Sequence, residues 1–359
     1  MITTEFQKTA RRHVKNLGGW YNAHAHIDRA HTMQKKYYEH ADMDPWQLVN
    51  APLKIKQHAT GVLHEGLAYR PDELKKRITS TIKEMIHFGY RRIDSFVDTT
   101  ADCIGTSALE IALEIKHKYR QDIDFRVGAY PIFGFRKDKQ EYWDVFVKGA
   151  EMADFIGTLP ERDALDKHIG YNEHIRKVIE LANSLGNKEV HMHVDQTNDP
   201  EETGTETLIE AIRWLRPDPE GHAKKTPPTI WAVHALSVAS YDEERFQKLK
   251  KGLIETNIGI RFCPCATLSN KQDRTIYVPM HNAITRVCDY ILDGIPMLMG
   301  TDNIDDVFCP TGEVDMYPDL KTAAEALRFQ CNPKTWAKVT TGSYLNAIDR
   351  KSVEDSINT

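Results

Sequence analysis

Long hydrophobic runs are missing from this chain of 359 residues. No stretch approaches the roughly 20 apolar residues of a membrane-spanning helix, and Met1 to Lys8 lack the apolar core of a secretory signal. The expectation is a cytoplasmic protein without a membrane partner. Cysteine is scarce: Cys103, Cys263, Cys265, Cys288, Cys309 and Cys331 include no CxxC pair, which argues for reduced thiols and against a disulfide framework. Cys263 and Cys265 stand close together, but without further Cys or His at zinc-site spacing they make an unfinished metal hook. Excess positive charge is absent as well. A formal net charge of −5 speaks against nucleic acid or an anionic bilayer as the main partner. No Gly-rich turn follows the first candidate strand, and no repeat or low-complexity tract occurs. The 41% hydrophobic and 28% charged residues are those of an ordinary soluble enzyme.

Short β-branched or aromatic runs alternate with amphipathic helical stretches almost from end to end, the pattern of parallel strands with crossover helices. Strands are expected near Gly19 to His24, Arg92 to Val97, Phe125 to Tyr130, Ala153 to Leu159, Glu189 to His193, Thr229 to His234, Gly259 to Cys263 and Pro296 to Gly300. Helices are expected over Asp72 to His87, Ser107 to Lys118, Glu141 to Glu151, Glu173 to Ser184, Glu206 to Leu215, Glu243 to Glu255, Met280 to Leu292 and Leu320 to Phe329. Eight such units make an α/β fold of the TIM (β/α)8 barrel type. An open doubly wound sheet would normally carry the Gly-rich turn that is missing here. The expected organisation is a single barrel domain over residues 1–359, without a separate β-sandwich, and with an insertion at about 27–71 over the mouth. Trp46, Leu48, Leu53 and Leu63 suggest that the insertion packs. A helix over Thr4 to Val14 should flank the base, and Pro217, Pro219, Pro227 and Pro228 with Gly221 mark an exposed loop.

The polar residues cluster at carboxyl ends of these strands, where barrels of this kind build active sites. In Asn22-Ala23-His24-Ala25-His26 two histidines at i, i+2 project from one side of a strand end, a geometry that suits a metal. His193 ends the fifth strand, His234 the sixth, and Asp302 follows the eighth. A hydrolytic metal needs three or four fixed ligands and an open position, and His24, His26, His193 and Asp302 meet that need. His191 shares the strand parity of His193 one layer deeper, so it reads as a hydrogen-bonded filler.

This ordered set resembles the amidohydrolase superfamily, and within it the cytosine-deaminase-like branch. The HxH, the two strand-end histidines and the strand-eight Asp match in order, as do Leu159-Pro160 and Asp302-Asn303-Ile304-Asp305-Asp306 with Pro310-Thr311-Gly312 beyond. The resemblance spans nearly the whole chain. It implies one divalent cation on His24, His26, His193 and Asp302, zinc first and iron(II) or manganese by supply, with His234 contacting the attacking water or the substrate. No lysine closes the fourth strand, so the site reads as mononuclear. Two departures from the branch stand out. Its members carry a proton-shuttling Glu three residues after the strand-five His, where this chain has Gln196, an amide with no acid–base pair near neutral pH. They also carry a base-recognising Gln after strand three, where Tyr130-Pro131-Ile132-Phe133 stands and makes that side more apolar.

Without the Glu, the resemblance still offers a proton route, since in many superfamily members the strand-eight Asp serves the attacking water and then the leaving nitrogen. Asp302, His234 and Gln196 are the expected catalytic residues, and Asp98, Glu161, Asn303, Asp306 and Phe308 the expected substrate contacts. Arg29 and Arg136 near the mouth are candidates to receive a substrate carboxylate. The reading is a hydrolase of a non-peptide C–N bond in a small cyclic or amide-like molecule, releasing ammonia or an alkylamine. A binding-only protein that lost turnover with the change at Gln196 is the alternative. Self-association as a homo-oligomer is left open.

Overall fold

Strand pairing runs in sequence order. The computed structural model describes residues 3–49, 51–215, 226–280, 284–330 and 332–358, and eight parallel strands form one sheet in the order β1 to β8. They are β1 (Trp20–Ala25), β2 (Tyr90–Asp98), β3 (Asp124–Tyr130), β4 (Phe155–Thr158), β5 (Val190–Val194), β6 (Ile230–His234), β7 (Gly259–Phe262) and β8 (Met297–Met299). β5 and β8 are buried along their whole length, as parallel strands covered on both faces must be. The curled sheet is a TIM barrel, and all eight expected strands are present. Among the described residues no helix is long and apolar enough to cross a membrane.

β8 is short, and the seam between β8 and β1 closes beyond its end. Gly300 N donates to Phe262 O at 3.0 Å, Asp302 N to His24 O at 2.8 Å, and His26 N to Asp302 O at 2.9 Å. The last strand thus approaches the first so closely that a Cβ on Gly300 would lie 2.5 Å from His24 O and 2.7 Å from His24 N. Glycine also clears the barrel axis: a Cβ at Gly157 would meet Phe96 at 2.8 Å, and one at Gly128 would meet Phe155 at 2.3 Å. Two aromatic rings fill the interior where β3 and β4 have no side chain.

Below those rings lies a floor of charge. Asp94 Oδ2 accepts from Arg261 at 2.8 Å, Arg126 at 3.2 Å and Tyr21 Oη at 2.8 Å, while Glu189 accepts from Arg126 at 2.6 Å and Arg261 at 3.0 Å. His191 belongs here. It is fully buried, bonded to Glu189 Oε1 at 2.9 Å and stacked 4.0 Å from the Phe155 ring, a filler as its depth in the strand suggests.

The outer helices follow the expected positions, with two differences. The stretch expected to be helical over Met280 to Leu292 is helical only over Val287–Asp293, because the Met280 carbonyl is taken by Asn198 Nδ2 at 3.1 Å and Ser240 Oγ at 3.4 Å; residues 281–283 lie outside the described residues. Two helices not foreseen, Pro333–Thr341 and Ala347–Asn358, follow the eighth unit. The first buries Trp336 completely and packs against β1, β8 and the N-terminal helix Glu5–Asn16. Cys331 and the Pro217, Pro219 and Gly221 part of the expected loop also lie outside the described residues.

Between β1 and the crossover helix Pro71–His87 that leads to β2, the chain forms several short helices and one longer helix, Leu53–Glu65. Leu48 and Leu63 are buried, whereas Trp46 is 65% exposed. Two alanine substitutions separate a steric constraint from helix propensity. Gly300→Ala is expected to destabilise the protein by about 1–3 kcal/mol through overpacking at the seam, measured by urea unfolding. Gly61→Ala, whose Cβ would meet only Phe133 at 3.6 Å inside a helix, should instead stabilise it by about 0.5–1 kcal/mol. Equal effects at the two sites would disprove the seam argument.

Candidate metal centre

Each candidate ligand occupies a strand end for a local reason. His24 and His26 share one face of the strand with Ala25 between them on the other, where it packs in the main core at zero exposure, while Ala23, at a shift in the β1–β2 register, clusters with Tyr21, Leu298 and Trp231. His193 lies in β5 and His234 ends β6. Asp302 is carried across the mouth by the seam. Several rim residues hold left-handed backbone: Asp195 at φ 55°, His234 at 73°, Ala235 at 45° and Asp302 at 61°. Such conformations turn a side chain back over the barrel axis and are uncommon for residues other than Gly, Asn and Asp.

One donor atom from each of His24, His193, His234 and Asp302 lies within 4.8 Å of the others. His24 Nε2 and His26 Nε2 are 3.4 Å and 3.3 Å from Asp302 Oδ1, His234 Nε2 is 3.7 Å from Oδ2, and the Nε2 atoms of His24 and His193 are 3.2 Å apart. His26 falls outside the tightest group of four but shares its carboxylate oxygen. Burial keeps three of the rings neutral, lowering His26 to about 3, His234 to about 4 and His193 well below the ordinary range. Burial alone would raise the Asp302 carboxyl, but hydrogen bonds from His24 and His26 hold it well below the usual value. Thr158 O accepts from His193 Nδ1 at 3.3 Å, which leaves Nε2 as a lone-pair donor. Neutral imidazoles with confronted nitrogens beside an ionised carboxylate have the donor chemistry of a divalent-cation site. A second acidic group, Asp94, Glu189 and His191, differs in kind, since Arg261 and Arg126 occupy its carboxylates and would repel a cation.

Phe96 supports the centre from below. Its ring centroid is 4.7 Å from that of His24, 5.4 Å from His26 and 5.1 Å from His193, edge-on in every case, which restricts all three imidazoles. Sequence reasoning missed it. The available signal was the alternation of Asp94, Phe96 and Asp98 on one face of β2.

Above the cluster is a narrow cavity of about 30 Å³, room for about one water molecule. His26, His193, His234 and Asp302 line it together with Gln196, Asn303, Phe308, Arg29, Tyr130 and Ile132. Leu53 and Gln57 reach it from the inserted helix, and Asn270 from the loop after β7; no local pattern singles out Gln57 or Asn270. Asp306 stands behind the wall, where it accepts from Phe308 N at 2.8 Å, Cys309 N at 3.1 Å and Asn303 Nδ2 at 2.7 Å. Glu161 holds Gln196, accepting from its Nε2 at 2.8 Å and its backbone N at 3.3 Å. A Glu at position 196 would set two carboxyl groups face to face, a physical reason for an amide there. Arg136 is away from the cavity, paired with Asp138 at 2.8 Å, and His31 is bonded to Asp305 at 3.3 Å.

Asp98 belongs to a buried network beside the mouth. Its Oδ2 accepts from His64 Nε2 at 3.1 Å and Tyr69 Oη at 3.0 Å, and His64 Nδ1 contacts Asp102 Oδ2 at 2.5 Å. Burial works against a charged His64, but the hydrogen bonds to Asp102 and Asp98 outweigh it and raise the imidazole to about 9.

No protein-family model matches the chain. An uncharacterized protein of Haemophilus influenzae is 30% identical over 284 residues, covering 78% of this chain and 93% of that one. A pterin deaminase of Rhizobium rhizogenes is 21% identical over 281 residues, 78% of this chain and 61% of its own length. Among solved structures, the 5-methylcytosine deaminase of Klebsiella pneumoniae bound to phosphonocytosine superposes with a TM-score of 0.73 at 20% identity, covering 94% of this chain and 75% of that one.

The His64 network has a pH signature. Its folded value of about 9 lies above the ordinary 6.5, so its contribution to stability is complete below about pH 6.5 and disappears as pH rises through about 9. In urea unfolding, wild type should exceed His64→Gln in stability at pH 6, and the difference should shrink by pH 9.5. A difference that stays constant over that window would show that His64 is not charged in the fold.

Proposed function

We propose that the chain belongs to the amidohydrolase superfamily and is a metal-dependent hydrolase acting in the cytoplasm on a non-peptide C–N bond of a small nitrogen-containing ring. The observation that carries this reading is the convergence of buried imidazoles on Asp302, with donor atoms of His24, His193, His234 and Asp302 within 4.8 Å of one another, at the bottom of a cavity in the barrel mouth. His24, His26, His193 and Asp302 would hold the cation, with zinc the first choice and iron(II) or manganese suited to the same donors. When bound, a divalent ion supplies Lewis acidity that lowers the pKa of an attacking water and polarises the carbon to be attacked.

The chain's own residues account for the rest. The two oxygens of Asp302 differ in surroundings: Oδ1 faces His24 and His26, while Oδ2 faces His234 at 3.7 Å. Oδ2 is thus the oxygen placed to take a proton from water and return it to the leaving nitrogen. Neutral His234 is placed to hydrogen-bond the attacking water and orient it toward the carbon. Glu161 takes the Gln196 amide N–H, which leaves Gln196 Oε1 to accept from a ring N–H or amino group. Tyr130, Ile132 and Phe308 give the ring apolar walls, and Asn303 adds a polar contact. Leu53 and Gln57 bring the insertion to the mouth as a lid.

Similarity to a pterin deaminase and to the fold of a 5-methylcytosine deaminase supports an exocyclic amine on a heterocycle as the group released. The binding-only alternative has less behind it, since the donor set and the second oxygen of Asp302 are both retained.

Purified protein should carry about one divalent ion, and chelation should abolish ammonia or amine release over aminopyrimidines, pterins, amino-triazines, cyclic amides and N-carbamoyl compounds. On any substrate found, Asp302→Asn should lower kcat by about 10²–10⁴-fold, the usual contribution of a general acid–base group; near-normal turnover with metal retained would refute the role. Gln196→Glu, with Glu161 alongside to share a proton, should gain aminopyrimidine deamination. Rates indistinguishable from the parent would show that an absent acid at position 196 is not what limits that reaction.

A further inference from the structure

Three arginines are buried among the described residues: Arg29 at 2% exposure, Arg77 at 5% and Arg261 at 0%. Two are tied into the fold through their terminal nitrogens. Arg77 donates to the carbonyls of Asp28 at 2.8 Å, Ala30 at 2.7 Å and Ala68 at 2.6 Å, and Arg261 to Asp94 and Glu189. Arg29 is different. It stands three residues after His26, lines the same cavity as His26, His193, His234 and Asp302, and its Nε and Nη1 have no hydrogen-bond partner.

We propose that the substrate carries a carboxylate and that Arg29 receives it in the cavity, an inference that rests on the hydrolase reading above. Position and order support it. Phe308 holds the guanidinium from one side, with Cζ 4.9 Å from its ring centroid, so a long side chain is fixed in the cavity wall before any ligand arrives. The neighbouring carboxylates of Asp28, Asp98 and Asp306 balance its charge through space without bonding it; Asp28 and Asp98 are bonded through Oδ2 and keep Oδ1 without a partner, and Asp306 is engaged at both oxygens. Asp28 Oδ2 accepts from Asp98 N at 2.8 Å and Tyr69 Oη at 2.9 Å, Asp98 Oδ2 from His64 and Tyr69, and both oxygens of Asp306 are taken by backbone N–H groups and Asn303.

The result is a desolvated cation whose charge is compensated and whose donors are not. Buried donors without acceptors are costly, and the matching acceptor for a planar guanidinium is a planar carboxylate, joined by charge-assisted hydrogen bonds. A neutral heterocycle would leave Nε and Nη1 as they are. Arg136, the other arginine expected near the mouth, is half-buried, paired with Asp138 and away from the cavity, so the role falls to Arg29.

The test is calorimetric binding of matched pairs to the metal-loaded protein and, separately, to the metal-free protein: cytosine-5-carboxylate and 2-aminopyrimidine-5-carboxylate, each against its carboxamide. At least one carboxylate should bind about tenfold or more tightly than its amide, the size of one charge-assisted hydrogen bond. Arg29→Gln should erase that preference while keeping metal content and melting temperature, and Arg29→Lys should restore only part of it. If no carboxylate binds better than its amide, or if Arg29→Gln keeps the preference, the proposal is wrong. Its failure is distinct from failure of the hydrolase reading. Carboxylate preference without release of ammonia or amine would sink the hydrolase and leave the anion site standing, whereas turnover of neutral rings with no carboxylate preference would do the reverse.

Discussion

Two backbone hydrogen bonds hold the site and the barrel at once: Asp302 N–H to His24 O and His26 N–H to Asp302 O. β8 is too short to close the sheet by itself, and the seam is completed by the residues that supply the candidate ligands. The strand ends therefore cannot drift apart without separating the carboxylate from the imidazoles. Gly300 is the steric condition for that approach. Residues 24 and 302 are the near and far ends of the fold, so the centre exists only after the first and last strands have met.

Charge is sorted by depth. The floor holds carboxylates and guanidinium groups in saturated pairs, Phe96 and Phe155 form an apolar layer above them, and neutral imidazoles around one ionised carboxylate form the next. The aromatic layer separates two electrostatic environments that would otherwise compete, since Arg261 would oppose a cation placed near it. At the rim the pattern changes again. Glu161 orients an amide, His64 carries charge between two aspartates, and Arg29 keeps donors in reserve.

Much of the architecture was legible in the sequence, because parallel strands buried on both faces leave continuous apolar runs that turn-forming residues delimit. The same logic separated His193 from His191, as depth along a strand decides between the mouth and the interior. What stayed hidden depends on contacts between distant segments. The Glu161 hold on Gln196 joins the ends of β4 and β5. Asp98 and Asp306 sit among expected substrate contacts in sequence, yet Oδ2 of Asp98 is engaged by His64 and Tyr69, and both oxygens of Asp306 by loop N–H groups and the Asn303 side chain. The helix expected from Met280 is cut short by side chains at Asn198 and Ser240, which no local pattern announces.

The left-handed backbone at His234, Ala235 and Asp302 sets the terms on which this protein can change. Each such residue is held at a cost of order 1–3 kcal/mol that the surrounding barrel must absorb. Glycine would relax the backbone at His234 or Asp302, but it would delete the imidazole or the carboxylate. Selection for thermal robustness and selection for chemistry therefore pull in opposite directions at these positions. Gains in stability are open to the chain in its helices and outer loops, while the rim stays locally uncomfortable for as long as the protein is useful.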